Sequence, residues 1–425
     1  SFVLFLDNVA LISGTYKALD AELTRTGNVQ LEIIDKQIMS LHQAYIESES
    51  FYAPLTSLVQ SSGFGKTRIC LDMLKVRPGI YMVLRKPESS GVPAEQDWMR
   101  SFFDFVFKSG CSDSLHFENI GIKASNYSSG RFLLALDLII SAYIKRFEEL
   151  YKEGKSISDI LKHLTSLFYK QKISLTEVNS VVDTCFDSLE FNPLRTSSIS
   201  ISDLVINLRT KFTSLDQYIS SNGFPFLLIL DEADYLNELR PRDVANSKIP
   251  GFNIVRRGLH LLDSKSSFMV VALGTNSDIF DFSPSIQDNS LRIATRPNLL
   301  PPLFLPGNFD IFFQDYSIHL LNLDKALLCS DVMFKLLVVM GRPLWSACNI
   351  NDVMLTAKAK LKNGAEDSIA AAFALLSVRA NVTVNPHHII ARTLIKSYMI
   401  IASYIAMDSR DLVVSYSSEP ILALA

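Results

Sequence analysis

The stretch VQSSGFGKTR (residues 59–68) decides the expected fold of this chain. It ends in G-K-T at residues 65–67, as the phosphate-binding pattern G-x-x-x-x-G-K-[ST] requires, although Gln60 stands where that pattern begins with glycine. In such a loop, backbone N–H groups and the start of a helix surround a phosphate, so glycine is needed where a side chain would collide with it. Gly63 and Gly65 meet that need in the tightest part of the loop. The alternative is that GFGKT is an ordinary turn between a strand and a helix.

Two residues of this loop have side chains suited to a nucleoside triphosphate. The Lys66 ammonium would reach the β- and γ-phosphates, and the Thr67 hydroxyl would be a ligand of Mg²⁺. We therefore predict that the loop binds ATP or GTP and that Lys66 also contributes to catalysis. The loop residues predicted to contact the nucleotide are Gly63, Phe64, Gly65, Lys66, Thr67 and Arg68.

A second motif, FLLILDEAD (residues 226–234), places two acidic residues directly after a continuous apolar run. Such a run is typical of a central strand in a parallel sheet, where both faces are buried. Asp231 would hold the hydration shell of Mg²⁺, and Glu232 would polarise the water that attacks the γ-phosphate. Taken alone, the motif could be an acidic turn after a strand. Because both motifs occur in the expected order, each after a predicted strand, together they predict nucleotide binding, with Asp231 and Thr67 at the metal.

The stretch VVALGTNS (residues 270–277) is a third candidate part of the site. Thr275 or Asn276 would hydrogen-bond the γ-phosphate or the attacking water, and we take Asn276 as the catalytic candidate. The alternative is a polar end to a strand. Arg256 and Arg257 lie on the preceding predicted helix. An arginine there would stabilise transition-state charge in a neighbouring subunit, which requires a homo-oligomer, whereas a solvated helix face or a salt bridge is the alternative.

Predicted strands and helices alternate along the central part of the chain. A strand, a glycine loop, a helix and a second strand form a βαβ unit, which implies a parallel sheet with helices over its faces. The predicted strands are PLTSLVQ (54–60), GIYMVLR (79–85), FPFLLILDEAD (224–234) and SFMVVALGTNS (267–277). We predict a helical segment at 1–50, an α/β core at 51–300 with a helical insertion at about 98–220, and a C-terminal helical domain at 301–425 with little strand signal.

Composition narrows the classes of partner and compartment. The 425 residues carry a net charge of −3, so no overall field attracts nucleic acid, and binding to it is unsupported by charge. The five cysteines contain no C-x-x-C spacing, which argues against a zinc site or a disulfide framework and favours a reducing compartment. We therefore expect an intracellular protein, cytoplasmic or nuclear.

Two apolar runs are the candidates for a membrane-spanning segment. FLLALDLIISAYI (132–144) and YMIIASYIAM (398–407) are both shorter than the roughly 20 residues that a bilayer requires. We predict that both are buried helices and that no membrane is involved.

Several short segments of the sequence resemble those of large fungal and oomycete Crinkler-like P-loop proteins. VQSSGFGKTR is similar to the VQSSGxGKSR loop of that family, in which glutamine before SSG is usual, whereas Thr67 replaces the usual serine and Phe64 is bulky. The threonine keeps the hydroxyl that the metal requires. The likeness continues in order through MVLRKPESSGVPAEQDW, LILDEAD, IVRRGLHLL, VVALGTNSDIFDFSPS, VMGRPLWSA, TAKAKL and YSSEPILALA, which together extend from about residue 55 to the end.

The resemblance implies a three-layer P-loop NTPase of the ASCE type, similar to the AAA+ and STAND ATPases. That branch has an extra strand between the strands of the two nucleotide motifs and a helical lid. A Gly-x-Pro-Leu motif in the lid of STAND proteins contacts the adenine, which makes Pro343 a candidate base contact and Arg342 a candidate second sensor. The alternative for GRPLW (341–345) is a glycine that ends one helix and a proline that begins the next.

The resulting hypothesis is a Mg²⁺-dependent ATPase module that acts as a conformational switch for an unidentified protein partner. In the family that the chain resembles, this ATPase often precedes a nuclease-like or kinase-like effector domain. Because the final residues look like a junction, we expect either a truncated product or a stand-alone ATPase module. Two alternatives stay open at this point. One is a scaffold that binds nucleotide without hydrolysing it, and the other is an ATPase stimulated by nucleic acid.

Overall fold

Four buried strands form a parallel sheet in this protein, which is described here from a computed structural model. The sheet consists of β1 (Leu55–Val59), β2 (Gly79–Val83), β3 (Phe226–Asp231) and β4 (Phe268–Gly274). The residues that the structure describes are 25–48, 51–61, 63–85, 99, 102–103, 106–107, 125–169, 201–219, 224–239, 250–262, 267–274, 300–303, 330–362, 369–378, 393–395, 398–405, 412–415 and 419–424.

The order of the strands across the sheet is β1-β4-β3-β2, and every neighbouring pair is parallel. Strand β4 therefore lies between the strand that precedes the glycine loop and the strand that ends in Asp231. Val59 pairs with Gly274, and Val83 pairs with Asp231, so the carboxyl ends of the four strands meet at one edge of the sheet. The predicted parallel α/β sheet is confirmed.

Helices cover both faces of this sheet. They are α1 (Arg25–Glu47), α2 (Lys66–Leu74), α3 (Ser125–Lys152), α4 (Ile157–Tyr169), α5 (Ile201–Ile219) and α6 (Gly251–Leu261), with a 3₁₀ turn at Ala233–Asn237. On one face, α1 and α2 share a core with alternate strand residues such as Leu58 and Ile229. On the other face, α3 to α6 pack on strand residues such as Leu228 and Val270. Because helices cover both faces of the sheet, strands β2 to β4 are almost continuously apolar, whereas β1 includes Thr56 and the half-buried Ser57.

The residues predicted as a helical insertion form a large part of the second layer. The run FLLALDLIISAYI lies within α3 and is mostly buried, as predicted. Its one charged residue, Asp137, accepts a hydrogen bond from Lys211 Nζ on α5 at 2.5 Å, so the charge is compensated inside the protein. Within the described ranges, no helix is long and apolar enough to cross a membrane.

The C-terminal region contains helices and a small second sheet. The helices are α7 (Ser330–Val339), α8 (Pro343–Ala347), α9 (Val353–Lys362), α10 (Ile369–Ser377) and α11 (Pro420–Leu424). The second sheet is an antiparallel pair, β5 (Ile401–Ile405) and β6 (Leu412–Ser415). These elements include a separate hydrophobic cluster centred on Trp345, which is fully buried.

Strand β5 corrects the prediction that YMIIASYIAM is a buried helix. Its isoleucines are β-branched and favour extended backbone, and Ile401 pairs with Ser415 while Ile405 pairs with Leu412. The region 301–425, predicted to be helical with little strand signal, therefore also contains a two-stranded sheet, in which β6 supplies the pairing partner from outside the local pattern of β5.

Candidate functional site

The glycine loop connects the end of β1 to the start of α2 at the carboxyl edge of the sheet. Gly63 and Gly65 have φ of 76° and 89°, the left-handed region that residues other than glycine rarely adopt. Gly65 is the residue before helix α2, so Lys66 and Thr67 are its first two residues. The Phe64 side chain is buried in the hydrophobic core beneath the loop, so Phe64 offers only its backbone to a ligand.

Gln60 has a structural role that explains why glycine is not needed at the start of the loop. Among the described residues other than glycine, only Glu232 and Met399 have positive φ, so Gln60 adopts backbone angles that any residue accepts. The Gln60 side chain is buried, and its Oε1 accepts a hydrogen bond from the N–H of Ser61 at 3.0 Å. Its own N–H donates to the carbonyl of Gly274 at 3.3 Å, which ties the loop to the end of β4.

Lys66 lies inside the loop. Its Nζ donates to the backbone oxygens of Gln60 at 2.5 Å and Ser61 at 3.0 Å, and the side chain is only 8% exposed. Burial lowers the pKa of Lys66 from 10.5 to about 8, although the nearby carboxylates of Asp231 and Glu232 oppose that shift. The ammonium is therefore held where a bound phosphate would compensate a buried positive charge.

Thr67 and Asp231 meet although they are 164 residues apart in the sequence. Thr67 Oγ1 donates to Asp231 Oδ2 at 2.9 Å, and the hydroxyl of Tyr81 on β2 donates to the same oxygen. Asp231 Oδ1 accepts the N–H of Glu232 at 2.9 Å. Both carboxylate oxygens are therefore oriented, and burial followed by the charge of Asp231 raises the pKa of Tyr81, which keeps its phenol protonated as a donor.

Glu232 lies next to this carboxylate in an unusual backbone conformation, with φ of 55°. Its Oε1 accepts a hydrogen bond from Arg85 Nη2 at 3.0 Å, and the Glu232 side chain is about one-third exposed. Burial on its inner side and the charge of Asp231 raise the pKa of Glu232, whereas Arg85 and Lys66 act in the opposite direction. The candidate base is thus held by a salt bridge.

Three other predicted contacts have different outcomes. The Arg68 guanidinium forms a salt bridge with Asp72 one turn along α2, so its side chain is engaged within the helix. Asn276 and Thr275 lie outside the described residues. Pro343 is the first residue of α8 and Gly341 before it has φ of 107°, as the helix-boundary alternative for GRPLW predicts. The contact between Pro343 and a base stays a prediction.

Arg256 does not extend outward from its helix. It is 8% exposed, and its guanidinium lies over the ring of Tyr52 at 5.1 Å from the centroid. This contact is intramolecular and differs from both a solvated helix face and a salt bridge, and a role for Arg256 in a neighbouring subunit stays a prediction.

The sequence interpretation missed Tyr81 and Arg85, although the positions of both in the sequence could have indicated them. Tyr81 is the only polar side chain in β2, and Arg85 follows the same strand at the edge where the other motifs end. In parallel sheets such positions line ligand sites.

The residues present match the chemistry of a Mg²⁺–nucleoside triphosphate. A buried ammonium, two left-handed glycines at a helix start, a hydroxyl and a carboxylate are what phosphates and a hard cation require. In the part of the chain that is described, no group of three or more His, Cys, Asp or Glu could hold a metal ion. A metal here would therefore depend on Thr67, Asp231 and oxygens from the nucleotide and water.

Comparison with known proteins gives one match. A family model described as "Domain of unknown function (DUF8735)" matches residues 25–115, which is less than a quarter of the chain. The matched range includes the loop, Tyr81 and Arg85 but ends before Asp231. No curated protein and no solved structure matches the chain.

Proposed function

We propose that this chain is a Mg²⁺-dependent ATPase of the P-loop type and that it acts as a conformational switch. The observation that carries the proposal is the 2.9 Å hydrogen bond between Thr67 Oγ1 and Asp231 Oδ2. It joins the two motifs that would hold a metal in P-loop NTPases. The position of β4 between β1 and β3 also supports the resemblance to the AAA+ and STAND branch, which has an extra strand there.

In this proposal each residue has one task. Lys66 exchanges its bonds to the Gln60 and Ser61 carbonyls for bonds to the β- and γ-phosphates. Bound Mg²⁺ would neutralise the developing charge on the phosphates, and Thr67 and Asp231 are the residues that would hold it. Glu232 would orient the attacking water and accept its proton, as a general base does.

One observation favours slow turnover. The carboxylate of Glu232 already accepts a hydrogen bond from Arg85 at 3.0 Å, so it has to leave that partner, or share it, to act on water. A nucleotide-binding scaffold that does not hydrolyse ATP is therefore the second candidate. No comparable observation favours stimulation by nucleic acid. The ATPase assay below tests it by adding DNA or RNA.

An ATPase assay combined with calorimetry tests the proposal. Lys66→Ala should abolish ATP binding, because it removes the buried ammonium that would compensate the charge of the phosphates. Glu232→Gln should bind ATP but hydrolyse it about 10²–10⁴-fold more slowly, the usual effect of losing a general base. Lys152→Ala removes an exposed lysine at the end of α3 and should behave as wild type.

Each result separates the candidates. Unchanged ATP affinity in Lys66→Ala would show that the site is assigned wrongly. Bound ATP without turnover in the wild type would favour the scaffold. Turnover that rises only with added DNA or RNA, and falls with salt, would favour a nucleic-acid-stimulated enzyme.

A further inference from the structure

Arg342 has a bonding pattern that the resemblance does not explain. Its guanidinium is fully buried, and Nε donates to both carboxylate oxygens of Glu419 at 2.9 Å. Nη2 donates to Glu419 Oε1 at 2.6 Å and to the carbonyl of Met399 at 2.8 Å. Nη1 donates to Ser61 Oγ at 3.1 Å and to Met399 Sδ at 3.5 Å. All five N–H groups therefore have acceptors within the protein, which disagrees with a second sensor that contacts phosphate.

Glu419 compensates the charge of Arg342 and depends on it in turn. The Glu419 side chain is 1% exposed, and its Oε2 also accepts the indole N–H of Trp345 at 2.7 Å. Gly341 leaves room for this carboxylate, since a Cβ there would lie 3.2 Å from Glu419 Cγ. Removing one member of a buried ion pair leaves the other as an uncompensated charge. If the segment 419–424 moved away from Arg342, the buried charge of Arg342 would therefore be uncompensated.

Arg342 and its near neighbour Leu344 contact the glycine loop at two points. Ser61 is held from both sides, because its carbonyl accepts from Lys66 Nζ at 3.0 Å and its hydroxyl accepts from Arg342. Leu344 packs directly on Gly63, where an added Cβ would lie 2.8 Å from Leu344 Cβ. The loop that would receive a phosphate is thus supported by residues from the C-terminal region.

We propose that Arg342 and Glu419 are positioning residues that couple the phosphate loop to the C-terminal segments 398–405 and 419–424. The proposal rests on the nucleotide site proposed above and adds its regulation. Docked segments hold Arg342 through Glu419 and Met399, and Arg342 in turn holds Ser61 in the conformation that binds phosphate. Nucleotide binding therefore stabilises docking by the same factor by which docking strengthens binding. We therefore expect these segments to become more ordered when nucleotide binds.

Ser61→Ala tests the coupling with the smallest change. It removes the hydroxyl that Arg342 contacts and leaves the Arg342–Glu419 pair intact. We expect about tenfold weaker binding of ATP, the usual effect of losing a hydrogen bond to a charged group. In the wild-type full chain, ATP should slow amide hydrogen exchange in 398–405 and 419–424 by a similar factor, and in Ser61→Ala this effect should be lost. Ser346→Ala is the matched control, since its hydroxyl bonds Val338 O within the C-terminal region and not the loop.

Glu419→Gln is a second variant with a larger expected effect, namely weaker ATP binding and faster exchange in 419–424 without nucleotide. If that variant does not fold, Ser61→Ala still decides. Equal ATP affinity and equal protection in wild type and Ser61→Ala would overturn the coupling and leave the nucleotide site standing. Tighter ATP binding in either variant would also overturn it, because Glu419 would then compete with phosphate for Arg342. If the wild type binds no ATP, the proposed function itself is wrong.

Discussion

The lowered pKa of Lys66 predicts that the affinity for ATP decreases as the pH rises. In the protein without ligand, burial lowers this pKa to about 8. Phosphates next to the ammonium favour its charged form, so bound ATP should return the pKa towards its ordinary value near 10.5. Only protonated Lys66 binds phosphate well, and its protonated fraction falls from about three-quarters at pH 7.5 to about one-tenth at pH 9. ATP affinity should therefore fall roughly eightfold between these two pH values, or about 1.3 kcal/mol.

The stability of the unliganded protein should change in the opposite direction. Between pH 8 and 10.5, Lys66 is protonated in the unfolded chain but largely neutral in the folded protein. The unfolded state therefore binds more protons, and the free energy of unfolding rises with pH in this window. From pH 7.5 to 9.5 the contribution of Lys66 is about 1.8 kcal/mol, which is measured as the difference between wild type and Lys66→Met in urea unfolding.

Isothermal titration calorimetry in buffers of different ionisation enthalpy measures the binding part of this prediction. ATP binding should take up about 0.9 proton at pH 9 and about a quarter of a proton at pH 7.5. Lys66→Arg stays protonated throughout this range, so any residual affinity of that variant should be independent of pH. Binding to the wild type without proton uptake at pH 9, together with an unchanged affinity, would refute the reasoning that Lys66 is a buried ammonium awaiting a phosphate.

Two further predictions concern the residues that the sequence interpretation missed. Tyr81→Phe removes a donor to Asp231, so the affinity of the ATP complex for Mg²⁺ should fall about 10–100-fold in a magnesium titration. Tyr143→Phe is the control, since it loses a buried tyrosine hydroxyl away from the site and should leave that affinity unchanged. Arg85→Met removes one of the cations that lower the pKa of Glu232, so the acid limb of the pH–rate profile should move to higher pH. An unshifted limb would exclude Glu232 as the base.

The sequence was sufficient for the parts of the fold that depend on local pattern. Strands β2 to β4 were predicted because short, mostly apolar runs are typical of buried parallel strands, and β1 was predicted from the short run that precedes the glycine loop. Strand β5 was missed because an apolar run of ten residues is equally compatible with a buried helix. What distinguishes the two structures is pairing with Leu412–Ser415, and no local pattern contains that information.

The candidate site divides in the same way. Lys66, Thr67, Asp231 and Glu232 were predicted from motifs, since each motif is short and its chemistry is recognisable in sequence. The partners that orient them are far away in the chain. Tyr81 is 150 residues from Asp231, and Arg85 is 147 residues from Glu232. Such contacts depend on the order of strands in the sheet, which the sequence alone did not supply.

Backbone strain connects the loop motifs to the C-terminal region. Within the described ranges, the only residues other than glycine with positive φ are Glu232 and Met399. A left-handed conformation costs such residues about 1–2 kcal/mol, so it persists only where surrounding contacts determine it. Glu232 is the candidate base, and the carbonyl of Met399 accepts a hydrogen bond from Arg342, which also bonds Ser61 in the loop. Glu232 therefore lies directly beside Asp231, and Met399 is separated from Ser61 of the loop by Arg342 alone. Strain of this kind collects at functional sites, so its position at Met399 argues that the C-terminal segment belongs to the same site as the loop.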